Sequence, residues 1–120
     1  MSLPANLVTI HPYFQVQSGK ESDFHAVIAQ FVERTAPEEG CSFYEFTSSG
    51  DIFFCREGYA GAAAALVHLG NVGDIVQKAL EISTLIRFEL HGPAEELEIM
   101  KPHVAGLNPS YYATEGGFVR

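Results

Sequence analysis

Two hydrophobic periodicities alternate along this chain, and their order leaves few folds open. From Val8 to Val16 the period is two: Val8, Ile10, Phe14 and Val16 make an apolar side, and Thr9, His11, Tyr13 and Gln15 a polar one. That alternation belongs to a strand with one face in a core. Ser18-Gly19 breaks it, and from about Lys20 to Thr35 the period becomes helical, with Phe24, Val27, Ile28, Phe31 and Val32 on one stripe. Ala36-Pro37-Glu38-Glu39-Gly40 ends that helix. Two strands follow, Cys41 to Thr47 and Ile52 to Glu57, joined by a turn at Ser48-Ser49-Gly50-Asp51. A helical region from about Ala60 to Ser83, interrupted near Gly70-Asn71, leads to a strand from Thr84 to His91. There Ile86, Phe88 and Leu90 alternate with Arg87, Glu89 and His91.

The order strand, helix, strand, strand, helix, strand predicts a four-stranded antiparallel sheet with both helices on one face. This is the ferredoxin-like βαββαβ sandwich of the α+β class. After Gly92-Pro93, the sequence predicts a short acidic helix from Ala94 to about Lys101 and a short extra strand between Pro109 and Val119. One domain accounts for the whole chain, a core over residues 7–92 and a C-terminal extension over 93–120. The uncovered sheet face would carry Thr9, His11, Tyr13, Phe43, Phe54, Arg56, Arg87, Glu89 and His91. It is too aromatic for water and too charged for a closed core, so pairing with a second copy through this face is expected.

Charge narrows the partners. Seven basic against fifteen acidic side chains give a net charge of −8, with no basic stripe to meet a phosphate backbone. A nucleic-acid partner is not expected. Neither is a membrane, since no apolar run approaches a spanning length, and the N-terminus lacks a signal-peptide pattern, which makes the cytoplasm the expected location. With the turn at residues 48–51, Tyr44 would lie opposite Cys55 and Cys41 opposite Gly58. The two sulfurs would then be out of register and on opposite faces, so both are expected to be free thiols.

Glu39-Gly40-Cys41 followed by Tyr44, then Arg56-Glu57-Gly58-Tyr59 with Ala63 and His68 on the next helix, resembles the antibiotic biosynthesis monooxygenase (ABM) family. The Gly19-Lys20-Glu21 junction fits as well. The resemblance covers roughly residues 7–92 and implies a dimeric α/β barrel built on the ferredoxin-like fold. It also implies a functional or pocket-lining histidine at His68. Many members have Trp where this chain has Tyr59. The similar haem-degrading branch uses a histidine further along the second helix, where this chain has Val76-Gln77-Lys78, so haem degradation is not implied. The scaffold hosts several chemistries, and the resemblance specifies a fold more than a reaction.

Among the residues themselves, His68 has small neighbours, Ala64 and Ala65, that leave room for a ligand; the competing reading is a structural histidine bonded to a carbonyl. Glu57 shares the helix-covered face with Tyr44, Phe46, Phe53 and Cys55 and could partner His68 in general acid–base work. Otherwise it is a charge at a helix N-terminus. Tyr44 and Tyr59 could bind substrate oxygens, or be core aromatics with hydroxyls at the rim. Phe46 and Phe53 would be apolar walls. His11, His91 and Glu89 lack the spacing of a metal site, and no cofactor motif is present. The expectation is a cofactor-independent monooxygenase-like enzyme acting on an aromatic or polyketide-type small molecule, with His68 and Glu57 catalytic and Tyr44, Phe46, Phe53 and Tyr59 binding substrate. The alternatives are a non-catalytic dimeric binding or regulatory module, and a lactone isomerase or lyase. A cavity of a few hundred Å³ beside His68 would favour the enzymes.

Overall fold

The alternation in the first strand is met residue by residue. Val8, Ile10, Phe14 and Val16 are buried, while Thr9, His11 and Tyr13 are half-buried on the other face. In the computed structural model, which describes residues 2–120, this strand is β1 (Leu7–Val16). It is followed by α1 (Glu21–Thr35), β2 (Cys41–Ser49), β3 (Ile52–Ala60), α2 (Gly61–Glu81), β4 (Ser83–Gly92), α3 (Ala94–Val104), a 3₁₀ turn (Ala105–Leu107) and β5 (Ser110–Ala113).

The strand order is β2-β3-β1-β4-β5. β1 pairs antiparallel with β3 and β4, and β2 with β3, which is the ferredoxin-like arrangement. The added strand makes the sheet mixed, because β5 runs parallel to β4. Its connection crosses over through α3, and a crossover of that kind delivers a parallel strand. The core lies between the sheet and the helices in two adjoining clusters. One is built on Phe14, Phe24, Phe31, Phe53 and Ile75, the other on Ile10, Tyr59, Phe88, Leu90 and Met100.

Three local expectations need correction. The β2–β3 turn is tighter than four residues: Ser49 pairs with Ile52, and Gly50 takes φ +60°, which glycine adopts without strain. The register therefore moves, and Tyr44 faces Glu57 while Cys41 faces Tyr59 and Phe46 faces Cys55. Both thiols are free and share the helix-covered face, but they are roughly 13 Å apart along the strands at about 3.3 Å per residue, beyond disulfide reach. Next, α2 runs unbroken through Gly70 and Asn71. Burial of Ala65, His68, Val72, Ile75 and Ala79 on one stripe offsets the ~1 kcal/mol that a helical glycine costs. Finally, the register between β1 and β4 shifts after Tyr13, so that Tyr13 pairs with Arg87 but Phe14 with Leu85. Ile86 is the extra residue and is half-exposed; Leu85 takes its place against the core.

The alanine-rich start of α2 has a packing reason. Gly40, at the entry to β2, accepts a hydrogen bond from the Ala60 amide and lies so near α2 that a Cβ there would meet the Ala64 Cβ at 2.6 Å. Ala62 and Ala65 are fully buried. Glu96 of α3 closes this end, its Oε1 accepting from the Ala62 amide at 2.8 Å, a carboxylate at a helix N-terminus. The contact predicts a contrast measurable by urea unfolding. Gly40→Ala should cost about 1–3 kcal/mol by overpacking, whereas Gly70→Ala, with no atom near a new Cβ, should stabilise by up to ~1 kcal/mol.

Candidate active site

Small side chains on α2 let the helix approach the sheet, and the approach carries His68 into the interior, where it is 2% exposed. Its two ring nitrogens face two carboxylates. Nδ1 lies 3.0 Å from Glu38 Oε2 and Nε2 lies 3.3 Å from Glu57 Oε1. Glu57 comes from β3 and is buried. Its Oε1 also accepts a short hydrogen bond from the Tyr59 hydroxyl, so neither contact engages Oε2. The rings of Tyr59 and Tyr44 lie 4.9 and 5.2 Å from the His68 ring.

Glu38 is the member of this cluster that the sequence reading missed. It sits in the loop after α1, where Pro37 and Gly40 signal only a helix end. The Asn71 side-chain amide donates to Glu38 Oε2 at 2.7 Å and to the Arg34 carbonyl at 3.1 Å. Arg34 returns a bond to the Asn71 carbonyl and a bidentate pair to Asp74 at 3.0 and 3.2 Å. This exposed pair contributes little to stability, but it ties the end of α1 to the middle of α2 and so positions Glu38. The spacing of Asn71 three residues after His68 is the one clue available beforehand, since it puts both on neighbouring parts of a helix face.

The electrostatics follow from burial and proximity. Burial works against a charged imidazole, but the hydrogen bonds and charges of Glu57, then of Glu38, outweigh it and raise the His68 pKa above its usual value. Burial, followed by the charge of Glu57, pushes the Tyr44 and Tyr59 hydroxyls up, so both remain neutral donors. Burial, with Glu38 and Glu57 adding to it, pushes the Cys41 thiol up to about 11. Cys55 is raised too, by burial and then Glu57. Neither is a thiolate nucleophile at neutral pH.

Beside His68 lies a cavity of about 40 Å³, whose polar wall consists of Tyr44, Glu57 and His68. The rest is apolar, including Phe31, Phe46, Val72, Val76, Phe88 and, from the 3₁₀ turn of the extension, Leu107. It has room for about one water, well short of the few hundred Å³ that would favour an enzyme over a binding module, and a ligand enters only if a wall moves. Of the sequence-predicted set, Glu57 and Tyr44 meet His68 at this cavity and Phe46 lines it. Tyr59 is fully buried behind Glu57, and Phe53 packs against Phe24 in the core, away from the cavity wall.

A second polar cluster lies on the opposite sheet face. The rings of His11 and His91 are 4.6 Å apart, His91 stacks on Tyr112, and Glu89, although buried, bonds both Arg87 and His91. Burial, then the adjacent His91, lowers the His11 pKa, with Glu89 opposing. Among the described residues no group of three or more His, Cys, Asp or Glu converges as a metal site, and no helix is long and apolar enough to cross a membrane.

No family model and no curated protein matches this chain. Solved structures do. MupZ from Pseudomonas fluorescens is 33% identical over 96% of this chain and 95% of its own, with a TM-score of 0.91. A Caulobacter crescentus protein named as a candidate antibiotic biosynthesis monooxygenase is 25% identical over 62% of this chain and 73% of its own, with a TM-score of 0.54. The chain belongs to the ABM family. A Fusobacterium nucleatum protein named as a candidate monooxygenase shares the fold, at 17% identity over 70% of this chain and 41% of its own, with a TM-score of 0.62. The likeness to MupZ takes in most of the extension, since its 96% coverage leaves only a few residues over. Leu107 in the cavity wall and Glu96 at the start of α2 thus belong to a segment this chain shares with MupZ.

The raised His68 pKa has a testable sign. Its interaction with the two carboxylates contributes full stability below the unfolded-state value near 6.5, and the contribution is lost as pH rises through the higher folded value. The Tm difference between the native chain and His68→Gln should therefore be larger at pH 6 than at pH 9. The His68 Cε1 proton should titrate in NMR with a midpoint above 6.5.

Proposed function

We propose that this protein is a cofactor-independent monooxygenase-like enzyme acting on an aromatic or polyketide-type small molecule, with Glu57 and His68 moving the proton. The observation that carries the reading is the contact of a buried carboxylate and a buried imidazole at the wall of an otherwise apolar cavity. Glu57 takes a proton from an acidic C–H or phenol. His68, held cationic by its two carboxylates, stabilises the anion and supplies a proton later. The Tyr44 hydroxyl donates to a substrate oxygen, and the apolar wall keeps the oxygenated intermediate from water. With an anthrone the step balances as one O₂ consumed: the methylene carbon loses two hydrogens and gains one oxygen as a carbonyl, and the second oxygen leaves as water. The substrate supplies all the electrons.

Oxygen uptake with a panel of anthrones and hydroquinones tests this. The native chain should consume one O₂ per quinone formed, Glu57→Gln should lower kcat by about 10²–10⁴, and Tyr44→Phe should have a smaller effect. Native rates in both Glu57→Gln and His68→Gln would remove the acid–base role. If no substrate draws down oxygen but a small unsaturated lactone exchanges its acidic C–H in D₂O, the isomerase or lyase reading replaces oxygenation on the same residues.

We also propose that a second copy covers the open sheet face, because half-buried His11, Tyr13, Phe43 and Phe54 lie there beside the charged cluster. Sedimentation should give twice the 13.1 kDa chain mass, and Tyr13→Glu with Phe54→Glu should shift it to the single-chain value without unfolding.

A further inference from the structure

Tyr44 lines two spaces. On one side is the 40 Å³ cavity beside His68. On the other is a more open cleft of about 190 Å³ between the end of α1 and β2, lined by Val32, Thr35, Glu38, Cys41 and Tyr44 among others. Tyr44 belongs to both walls. The Glu38–His68 pair connects the two as well, for Glu38 lines the cleft and bonds the imidazole that lines the cavity.

Thr35, in the wall of the cleft, carries the one buried side-chain polar atom among the described residues that has no hydrogen-bond partner, its hydroxyl oxygen, and the residue is 2% exposed. The Tyr44 hydroxyl is beside it but does not meet the geometry of a bond. A buried hydroxyl left unpaired is destabilising, so a ligand oxygen that reaches it makes a hydrogen bond the protein lacks. The Glu38 carboxylate in the same wall selects against anions.

We propose that this cleft is the outer half of the ligand site. Thr35 Oγ1 binds an uncharged oxygen of the ligand, an alcohol or ketone. Tyr44 turns aside so that the apolar part of the same molecule enters the space beside His68. The proposal rests on the reading of that space as a ligand site and deepens it. It defines a substrate class: neutral, apolar at one end, with a hydroxyl or carbonyl a few bonds away. It also accounts for the small inner cavity, which needs the movement of one aromatic side chain to join the cleft.

Amide and imidazole NMR titrations with three probes test it: 3-phenyl-1-propanol, propylbenzene and 3-phenylpropanoate. In the native chain the alcohol should shift both Thr35 and His68 and bind several-fold more tightly than propylbenzene, and the carboxylate should bind weakest. Thr35→Val, which keeps the shape and removes the hydroxyl, should abolish most of the preference for the alcohol, a loss of about fivefold or more, while leaving propylbenzene affinity unchanged. Tyr44→Ala should tighten propylbenzene, which gains space and loses no hydrogen bond. An unchanged alcohol preference in Thr35→Val, or a carboxylate that binds as well as the alcohol, would overturn the outer subsite while His68 shifts still support the inner one. Shifts at Thr35 with none at His68 in either the native chain or Tyr44→Ala would refute both. So would the absence of any shift in those two proteins.

Discussion

A histidine taken almost wholly out of water needs a reason to remain there, and in this protein the reason is a pair of carboxylates. Glu38 and Glu57 come from different parts of the chain and meet opposite nitrogens of the His68 ring. Their attraction offsets the desolvation of the imidazole and keeps it cationic to higher pH than usual. The arrangement is asymmetric in consequence. Removing His68 leaves both carboxylates without their cation, typically a loss of about 3–5 kcal/mol, whereas removing either carboxylate leaves the imidazole paired with the other. Stability and the proposed proton transfer are thus coupled at the same side chains.

The rest of the fold serves to bring those three together. The close approach of Gly40 to Ala64 fixes how near α2 lies to the sheet, and that spacing sets the reach from His68 to Glu57. The Arg34–Asp74–Asn71 connection sets the loop that carries Glu38. The C-terminal extension contributes at both ends, with Glu96 capping α2 and Leu107 closing the cavity wall. A segment that lies outside the βαββαβ core thereby becomes part of the site, and it is the segment shared with MupZ.

The two faces of the sheet divide the work. The helix-covered face holds His68 and Glu57 in apolar surroundings, where the proposed proton transfer would be shielded from solvent. The opposite face holds His11, Tyr13, Phe54, Glu89 and His91 in an aromatic and ionic layer. Because side chains alternate along each strand, Glu57 and Gly58 are consecutive yet serve different faces. The ring of Phe43 lies over Gly58 on the open one.

How much of this was written in the sequence depends on the range of the interaction. The alternating and helical periods of residues 8–91 are local properties. They determine element type, the βαββαβ order and the placement of Glu57, Tyr44 and Phe46 on the same face as His68, because side-chain direction follows from position within a strand. The two-residue turn at Gly50, the extra residue at Ile86 and the continuity of α2 through Gly70 are not legible in this way. Each is settled by the packing of neighbouring strands and helices, which outweighs a local preference of ~1 kcal/mol. Glu38 is the clearest case. As a loop carboxylate between a proline and a glycine it carries no pattern, and it becomes part of the site only because α1 and α2 pack side by side and place it against a residue thirty positions away in sequence. The sequence by itself determined the element order and the placement of Glu57 on the sheet face that α2 and His68 cover. Tertiary packing alone decided that His68 has two carboxylates, how little space lies beside it, and that the Thr35 hydroxyl in the wall of the neighbouring cleft is left unpaired.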